Sequence, residues 1–303
     1  MSSEITLDPR LVKLTVRSGI AIRRTLPHRE IKSIGAWCFV DHYGPTNQLE
    51  AMSVAAHPHT GLQTASWLFS GEIEHRDSLQ HVQIINPGEL NLMSAGAGIA
   101  HSELSINASS DLHGVQLWIA LPDEKRNMAP EFNHYAKLPI FEHDGATIRV
   151  FVGEILGNRS PAKVFSELVG AEINIEPDVI FSLPLQNNFE YGFLVDGGEV
   201  LINGTPVPEG SLRYLPTTID SVSIETRSPA RILMLGGVPF PEEIIMWWNF
   251  IGRTHEEIIQ MRQDWESGSS RFPTFADGLG ERIPAPVMPN IRLAPRGRRK
   301  PLR

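Results

Sequence analysis

Two pairs of ligand-type side chains stand out in this chain: His57 and His59 in "HPHTG", and His101 and Glu103 in "GAGIAHSE". The members of each pair are separated by one position. Residues i and i+2 of a β-strand project to the same face, so each pair can present two side chains to one point. Two such pairs on neighbouring strands would assemble three imidazoles and a carboxylate. That donor set suits a first-row metal such as Fe, Mn, Ni, Cu or Zn. Four protein ligands leave room on a five- or six-coordinate ion for water, dioxygen or substrate. The chemistry implied is oxygen or Lewis-acid chemistry.

The elements that must carry these pairs read as strands. Short runs rich in Val, Ile, Leu and Phe alternate with Gly, Pro, Asn and Asp turns, as in "TASWLFSGEIEHRDS", "VQIINPGELNLMSAG", "GVQLWIALP" and "YGFLVDGGEVLING". Regular strand spacing with turns between predicts an all-β sandwich or barrel. A helical pattern comes only late, and a helix is expected from about Thr254 to Glu266, with Gly268 as its stop. A weak internal repeat is visible: a glycine turn at Gly71 followed by one at Gly88, then again Gly198 followed by Gly210. It predicts a duplicated barrel, with Pro130 to Asp144 as the connection between the halves. No histidine occurs between His143 and His255, so the second barrel cannot rebuild a three-histidine site. A single metal would belong to the N-terminal half. The end of the chain, "IPAPVMPNIRLAPRGRRKPLR", is rich in Pro and Arg and reads as a strap running into a basic tail.

Composition narrows the function classes. At 303 residues the chain suits two domains. Its 27 basic and 35 acidic residues give a net charge of −8, which argues against direct nucleic-acid binding through overall charge. The single cysteine, Cys38, cannot form an internal disulfide and reads as a small buried hydrophobe. The first residues show no signal-peptide pattern, and no apolar run approaches the ~18 residues of a membrane span. The expectation is a cytoplasmic protein, and a monomer, since duplication already supplies an internal pair of barrels.

Other residues compete for the site. His42, His75, His81 and His113 read as structural hydrogen-bonding residues, His42 being the best placed to orient a ligand. Gln63 follows His59 at a spacing where many metal-binding barrels place a glutamate ligand; it reads as a supporting residue beside the metal, with Glu103 supplying the carboxylate. "GAGIAHS" lacks the Gly-Lys-Ser/Thr ending of a phosphate loop, and Ser102 sits in no nucleophile-elbow pattern. A closed structural zinc site would favour cysteines, and Cys38 is not close to either pair.

Taken together, "GAWCFVDHYGP", "HPHTGLQTASWLFSGEIEHRDSLQ", "INPGELNLMSAGAGIAHSE" and "GVQLWIALP" resemble the pirin family of the cupin superfamily. The likeness continues through "IRVFVGEILGNRSP" and a bacterial-type ending, "WWNFIGRTHEEIIQMRQDWESGSSRF", to about Phe272. It implies a bicupin: an N-terminal metal-binding cupin over residues 1–140, a metal-free cupin over 145–272 that includes the helix near 254–266, and a strap and tail over 273–303. It also implies His57, His59, His101 and Glu103 as ligands and Fe2+ as the usual ion, with Ni, Mn, Cu or Zn as alternatives. Some members resemble quercetin 2,3-dioxygenases, which would make this chain an oxidoreductase using dioxygen on a flavonol-like substrate. Glu103 would be ligand and proton acceptor, and Trp67, Phe69, Met93 and Trp118 would line the cavity. Other members are redox-dependent regulators, which would give the iron state a role in binding a transcription factor or metabolic enzyme. Gln63 departs from the glutamate common at its place in that family.

Overall fold

The computed structural model describes residues 3–13, 21–46, 52–106, 111–280 and 282–297. Two antiparallel double-sheet barrels make up the chain. In the first, a seven-stranded sheet faces a four-stranded one built from Ser53–His59, Ile99–Ser105, Ile73–Asp77 and Val82–Ile85 in that spatial order. The second repeats the seven-plus-four arrangement, so the internal repeat corresponds to two cupin barrels in one all-β chain.

Strand alternation explains where the core lies. In Leu62–Ser70, Thr64 and Ser66 face into the first barrel, while Ala65 and Trp67 face out of it and are nevertheless fully buried. They are buried because the two seven-stranded sheets pack on each other. The largest apolar cluster joins Val40, Ala65, Trp67 and Leu117 of the first barrel to Phe151, Leu168, Leu194 and Leu233 of the second. The second barrel's interior is a separate apolar cluster, including Ile148, Ile173, Phe181, Phe193 and Ile224. The first barrel's interior is partly given over to polar side chains, His57, His59, His101 and Glu103 among them.

Two features depart from the sequence reading. Pro130 to Asp144 is not a plain connection. It carries strand Glu131–Tyr135, which pairs with Leu90–Ser94 of the first barrel, and strand Ile140–His143, which pairs with Ala146–Val152 of the second. The crossing is therefore only the few residues between them. Strand Ile5–Leu7, near the start of the chain, pairs with Leu212–Leu215 and completes the second barrel's sheet. Cross-barrel pairing of this kind leaves no periodic trace in a sequence, because pattern reports burial and not the partner.

The helix runs His255–Ser267. The Thr254 side chain caps it by accepting from the Glu257 N–H, and Gly268 ends it in the left-handed conformation. Its buried face, Ile258, Met261 and Trp265, packs on Phe250 and Phe272. Hairpin Ile245–Trp247/Phe250–Gly252 links the helix to the first barrel. Gly61, at φ +68°, turns the chain between the two strands that bear His59 and Ser66; a Cβ there would lie 2.3 Å from the Ile251 carbonyl oxygen. Residues 298–303, most of the expected basic tail, lie outside the described residues. Cys38 is buried, with its thiol 3.6 Å from the Trp118 carbonyl and its pKa pushed up to about 12 by burial. No helix among the described residues is long and apolar enough to cross a membrane.

Candidate metal centre

The two ligand-type pairs do fall on neighbouring strands. Ser53–His59 and Ile99–Ser105 run antiparallel with His101 opposite His57 and Ile99 opposite His59. The register then shifts, so that Glu103 stands opposite Val54. This bulge puts one extra residue on the His57 strand. On its other edge Ile99–Ser105 pairs with Ile73–Asp77, placing His75 opposite Glu103 and Asp77 opposite His101.

The donor atoms of His57, His59 and His101 lie within 4.8 Å of one another, and those of His101, Glu103 and His75 form an overlapping group at the same spacing. The ring centroids of the three predicted histidines are 4.3–5.1 Å apart.

Hydrogen bonds settle which nitrogen each ring presents. His57 Nδ1 donates to the Ala55 carbonyl at 2.9 Å, and His59 Nδ1 to the Asn249 carbonyl at 3.2 Å. His101 is fixed through a relay. The Asp77 carboxylate accepts from His75 Nε2 at 3.2 Å, which leaves His75 Nδ1 bare to accept from His101 Nδ1 at 3.4 Å. All three rings are thereby held with Nε2 as a bare lone pair. His101 Nε2 is buried and has no hydrogen-bond partner, a costly arrangement unless something else occupies that lone pair. Three imidazole lone pairs and a carboxylate fit a divalent first-row ion, with Nδ1 anchored in each case as ligating histidines usually are.

Burial sets the charge state. Desolvation lowers the His57 pKa to about 4 and takes His59 and His101 well below the ordinary histidine value, each further lowered by its neighbouring rings. The histidines are thus neutral and ready to ligate. Burial raises Glu103 to about 7, against the Ser66 hydroxyl, which lies 3.3 Å from Oε1 and favours the charged form.

A cavity of about 550 Å³ opens over this group. Its walls include the Phe39–Trp118 stack, the Arg24–Asp41 ion pair and Met52, and the C-terminal segment closes it with Met246, Trp248, Asn249 and Ile283. Phe39 and Trp118 lie 4.0 Å apart and nearly parallel. The Arg24 guanidinium sits over the Phe39 ring at 4.2 Å and binds both Asp41 oxygens, at 2.5 and 2.7 Å.

Several candidates sit elsewhere. Gln63 does not support the metal: its amide donates to Ser94 Oγ and to the Lys163 carbonyl. It shares the outward face of its strand with Trp67, opposite to Ser66. His42 does not orient a ligand either; with His113 it lies on the face turned to the second barrel, against Asp196. Of the proposed lining residues only Trp118 is in the cavity wall. Trp67 and Phe69 are in the inter-barrel core, and Met93 packs with Ala95 and Ile99. His75, read as a structural hydrogen-bonding residue, is one, though its place behind His101 was not foreseen, and Asn249 was missed as a support. The Asp two residues after His75 was the available signal for the first; for the second, a backbone carbonyl 190 positions from its partner, no signal existed.

The chain matches the Pirin family over residues 19–119 and the Pirin C-terminal cupin domain over residues 170–273. A Pseudomonas aeruginosa protein named "Putative quercetin 2,3-dioxygenase" is 41% identical over 277 residues, spanning 90% of this chain and 88% of that one. A crystal structure of quercetin 2,3-dioxygenase from Acinetobacter baumannii superposes with a TM-score of 0.92 at 39% identity, over 96% of this chain and 98% of the other. The pirin YhhW of Escherichia coli, solved with nickel(II), shares the fold at 19% identity and a TM-score of 0.62, over 78% of this chain and 100% of that one. With matches to both halves of the family and a relative this similar over nine-tenths of its length, the chain belongs to the pirin family.

Proposed function

We propose that this pirin is a metal-dependent dioxygenase of the quercetin 2,3-dioxygenase type, with His57, His59, His101 and Glu103 holding Fe2+ and a flavonol-like compound as substrate. The observation that carries the reading is the bare Nε2 atoms of His57 and His59, with Glu103 beside them and His101 Nε2 buried behind them, at the floor of an aromatic-walled cavity of about 550 Å³, a size typical of small-molecule sites. The names of the P. aeruginosa and A. baumannii relatives support it. When bound, the ion supplies Lewis acidity and redox chemistry with dioxygen.

The chain's own residues do the rest. Phe39 and Trp118 offer flat faces for a planar aromatic. Trp248 and Met246 reduce the access of water to the floor. Glu103 would hold the ion through one carboxylate oxygen, and its other oxygen would be placed to take the proton of a phenolic hydroxyl and return it. Oxygen uptake by the iron-loaded protein should depend on added quercetin and should vanish in His101→Ala. Full iron occupancy with no quercetin-dependent uptake, and quercetin left unconsumed in air, would defeat this proposal.

The ligand set also predicts a pH dependence. Glu103 must lose its proton to ligate, and its pKa in the metal-free protein is about 7, whereas that of His57 is about 4 and those of His59 and His101 are well below 6.5. Below pH 7 the ion therefore displaces one proton, from Glu103, and affinity should fall about tenfold per pH unit between roughly pH 7 and 5. In Glu103→Gln the affinity should be weaker throughout and nearly flat over that range. Competition titrations against a chelator at several pH values measure both slopes; equal slopes would remove Glu103 from the ligand set.

A further inference from the structure

A second group of donors lies outside the cavity, between the barrels. His42 comes from strand Trp37–Tyr43 and His113 from strand His113–Ala120, both on the outward face of the first barrel's large sheet. Asp196 comes from strand Glu190–Gly197 of the second barrel. Each Nε2 lies 2.6 Å from Asp196 Oδ1, and the two Nε2 atoms are 3.1 Å apart. We propose that His42, His113 and Asp196 form a second metal site, taking a divalent ion of the zinc or cobalt class and joining the two barrels.

Geometry and chemistry both support it. Three donor atoms with edges of 2.6–3.1 Å approximate one face of a six-coordinate ion with bonds of about 2.0–2.2 Å, rather than the wider face of a tetrahedral one. Two imidazoles and a carboxylate are a recurring set for such ions. Hydrogen bonding explains the cluster poorly. Asp196 Oδ1 crowds both imidazoles at 2.6 Å in poor direction, and His42 Nδ1 has no partner. His42 Nε2 faces a donor, Arg23 Nη2, at 3.1 Å, and a carboxylate at 2.6 Å. With one proton or none on that nitrogen, one of these contacts is unfavourable; a cation taking its lone pair relieves the contact with the carboxylate, and Arg23 Nη2 keeps the Gly44 carbonyl as its acceptor. The group is buried: His42 is 0% exposed and Asp196 5%. His113 has a side chain 11% exposed, which leaves an edge from which water can complete the coordination.

The surroundings suit a dication. Asp196 Oδ2, the oxygen turned away from the histidines, accepts from Arg231 at 3.0 Å, the outer support expected of a ligating carboxylate. Arg231 is itself 3.5 Å from Glu172, and Arg23 is 3.6 Å from Glu209 and 2.6 Å from the Gly44 carbonyl. Three carboxylates against two guanidinium groups leave the neighbourhood at −1 with neutral histidines, so a divalent ion changes it only to +1. Phe69, edge-on to both rings at 5.0 and 6.2 Å, fills one side.

The test is stoichiometry on the full chain. Metal-free protein is titrated with Co2+ under equilibrium dialysis, with content read by elemental analysis. The wild type should take two equivalents, and the near-isosteric His113→Gln and Asp196→Asn should each take one. At Co2+ concentrations below the weakened affinity of the cavity, His101→Ala should also take one, and His101→Ala combined with Asp196→Asn none; at those concentrations Co2+ should raise the melting temperature of His101→Ala and not that of the double variant. Saturation of the folded wild type at one equivalent, or a second equivalent that persists in both His113→Gln and Asp196→Asn, would overturn the site. Circular dichroism of each metal-free variant keeps misfolding apart from lost binding, and two independent ligand variants keep the result from resting on one.

Discussion

Replacing His101 by alanine should lower metal affinity at the cavity by about two to three orders of magnitude while the metal-free protein keeps its fold. The size follows from sharing the roughly 10–16 kcal/mol of a four-ligand protein–metal interaction among its ligands, about 2.5–4 kcal/mol each, at about 1.4 kcal/mol per tenfold. Preservation of the fold follows from the surroundings. His101 Nε2 is buried without a partner, so in the absence of metal the side chain already carries an unsatisfied polar atom. Its removal also frees His75 Nδ1, whose ring remains held by Asp77 and stacked on Phe132 at 4.4 Å. Chelator competition measures the affinity and thermal melting of the metal-free proteins measures the fold. Unchanged affinity would mean that His101 is not a ligand.

The second large effect is at the inter-barrel core. Trp67→Ala should reduce unfolding free energy by about 3–5 kcal/mol, the range for emptying a large aromatic site. Trp67 is 0% exposed, stacks on Phe151 at 4.8 Å and donates from Nε1 to Glu172 at 2.8 Å. It thus serves both barrels at once. Trp67→Phe keeps much of the volume and loses the hydrogen bond to a charged acceptor, so about 1.5–3 kcal/mol is expected. Denaturant unfolding of the two variants separates packing from polarity. Near-equal losses would show that the bond to Glu172, and not the ring, dominates.

The histidine group could be located from sequence because its geometry is local. His57 with His59, and His101 with Glu103, need only strand alternation to share a face, and alternation is visible in the chain. Which strands adjoin was open until the register placed His101 opposite His57. Gln63 shows the limit of spacing. Counting from His59 passes through the turn at Gly61, and beyond it the alternation restarts, so that Gln63 points to the second barrel. The same reversal misassigned Trp67: its strand is buried on both faces, and a residue type that fits a cavity wall fits an inter-barrel core equally well.

By itself the sequence determined the all-β duplicated architecture, the late helix with its caps, and the confinement to the first half of a three-histidine group whose members, His57, His59 and His101, converge. Each depends on side-chain type and short-range periodicity, which are properties of neighbours in the chain. Tertiary structure alone decided that strand Ile5–Leu7 completes the second barrel, that the Asn249 carbonyl anchors His59, that the Asp77–His75 relay fixes the His101 tautomer, and that His42, His113 and Asp196 meet. These contacts join residues up to 209 positions apart, Ile5 and Tyr214. Their free energy comes from burying two sheet faces against each other, and no local pattern records which distant residue a buried face will meet.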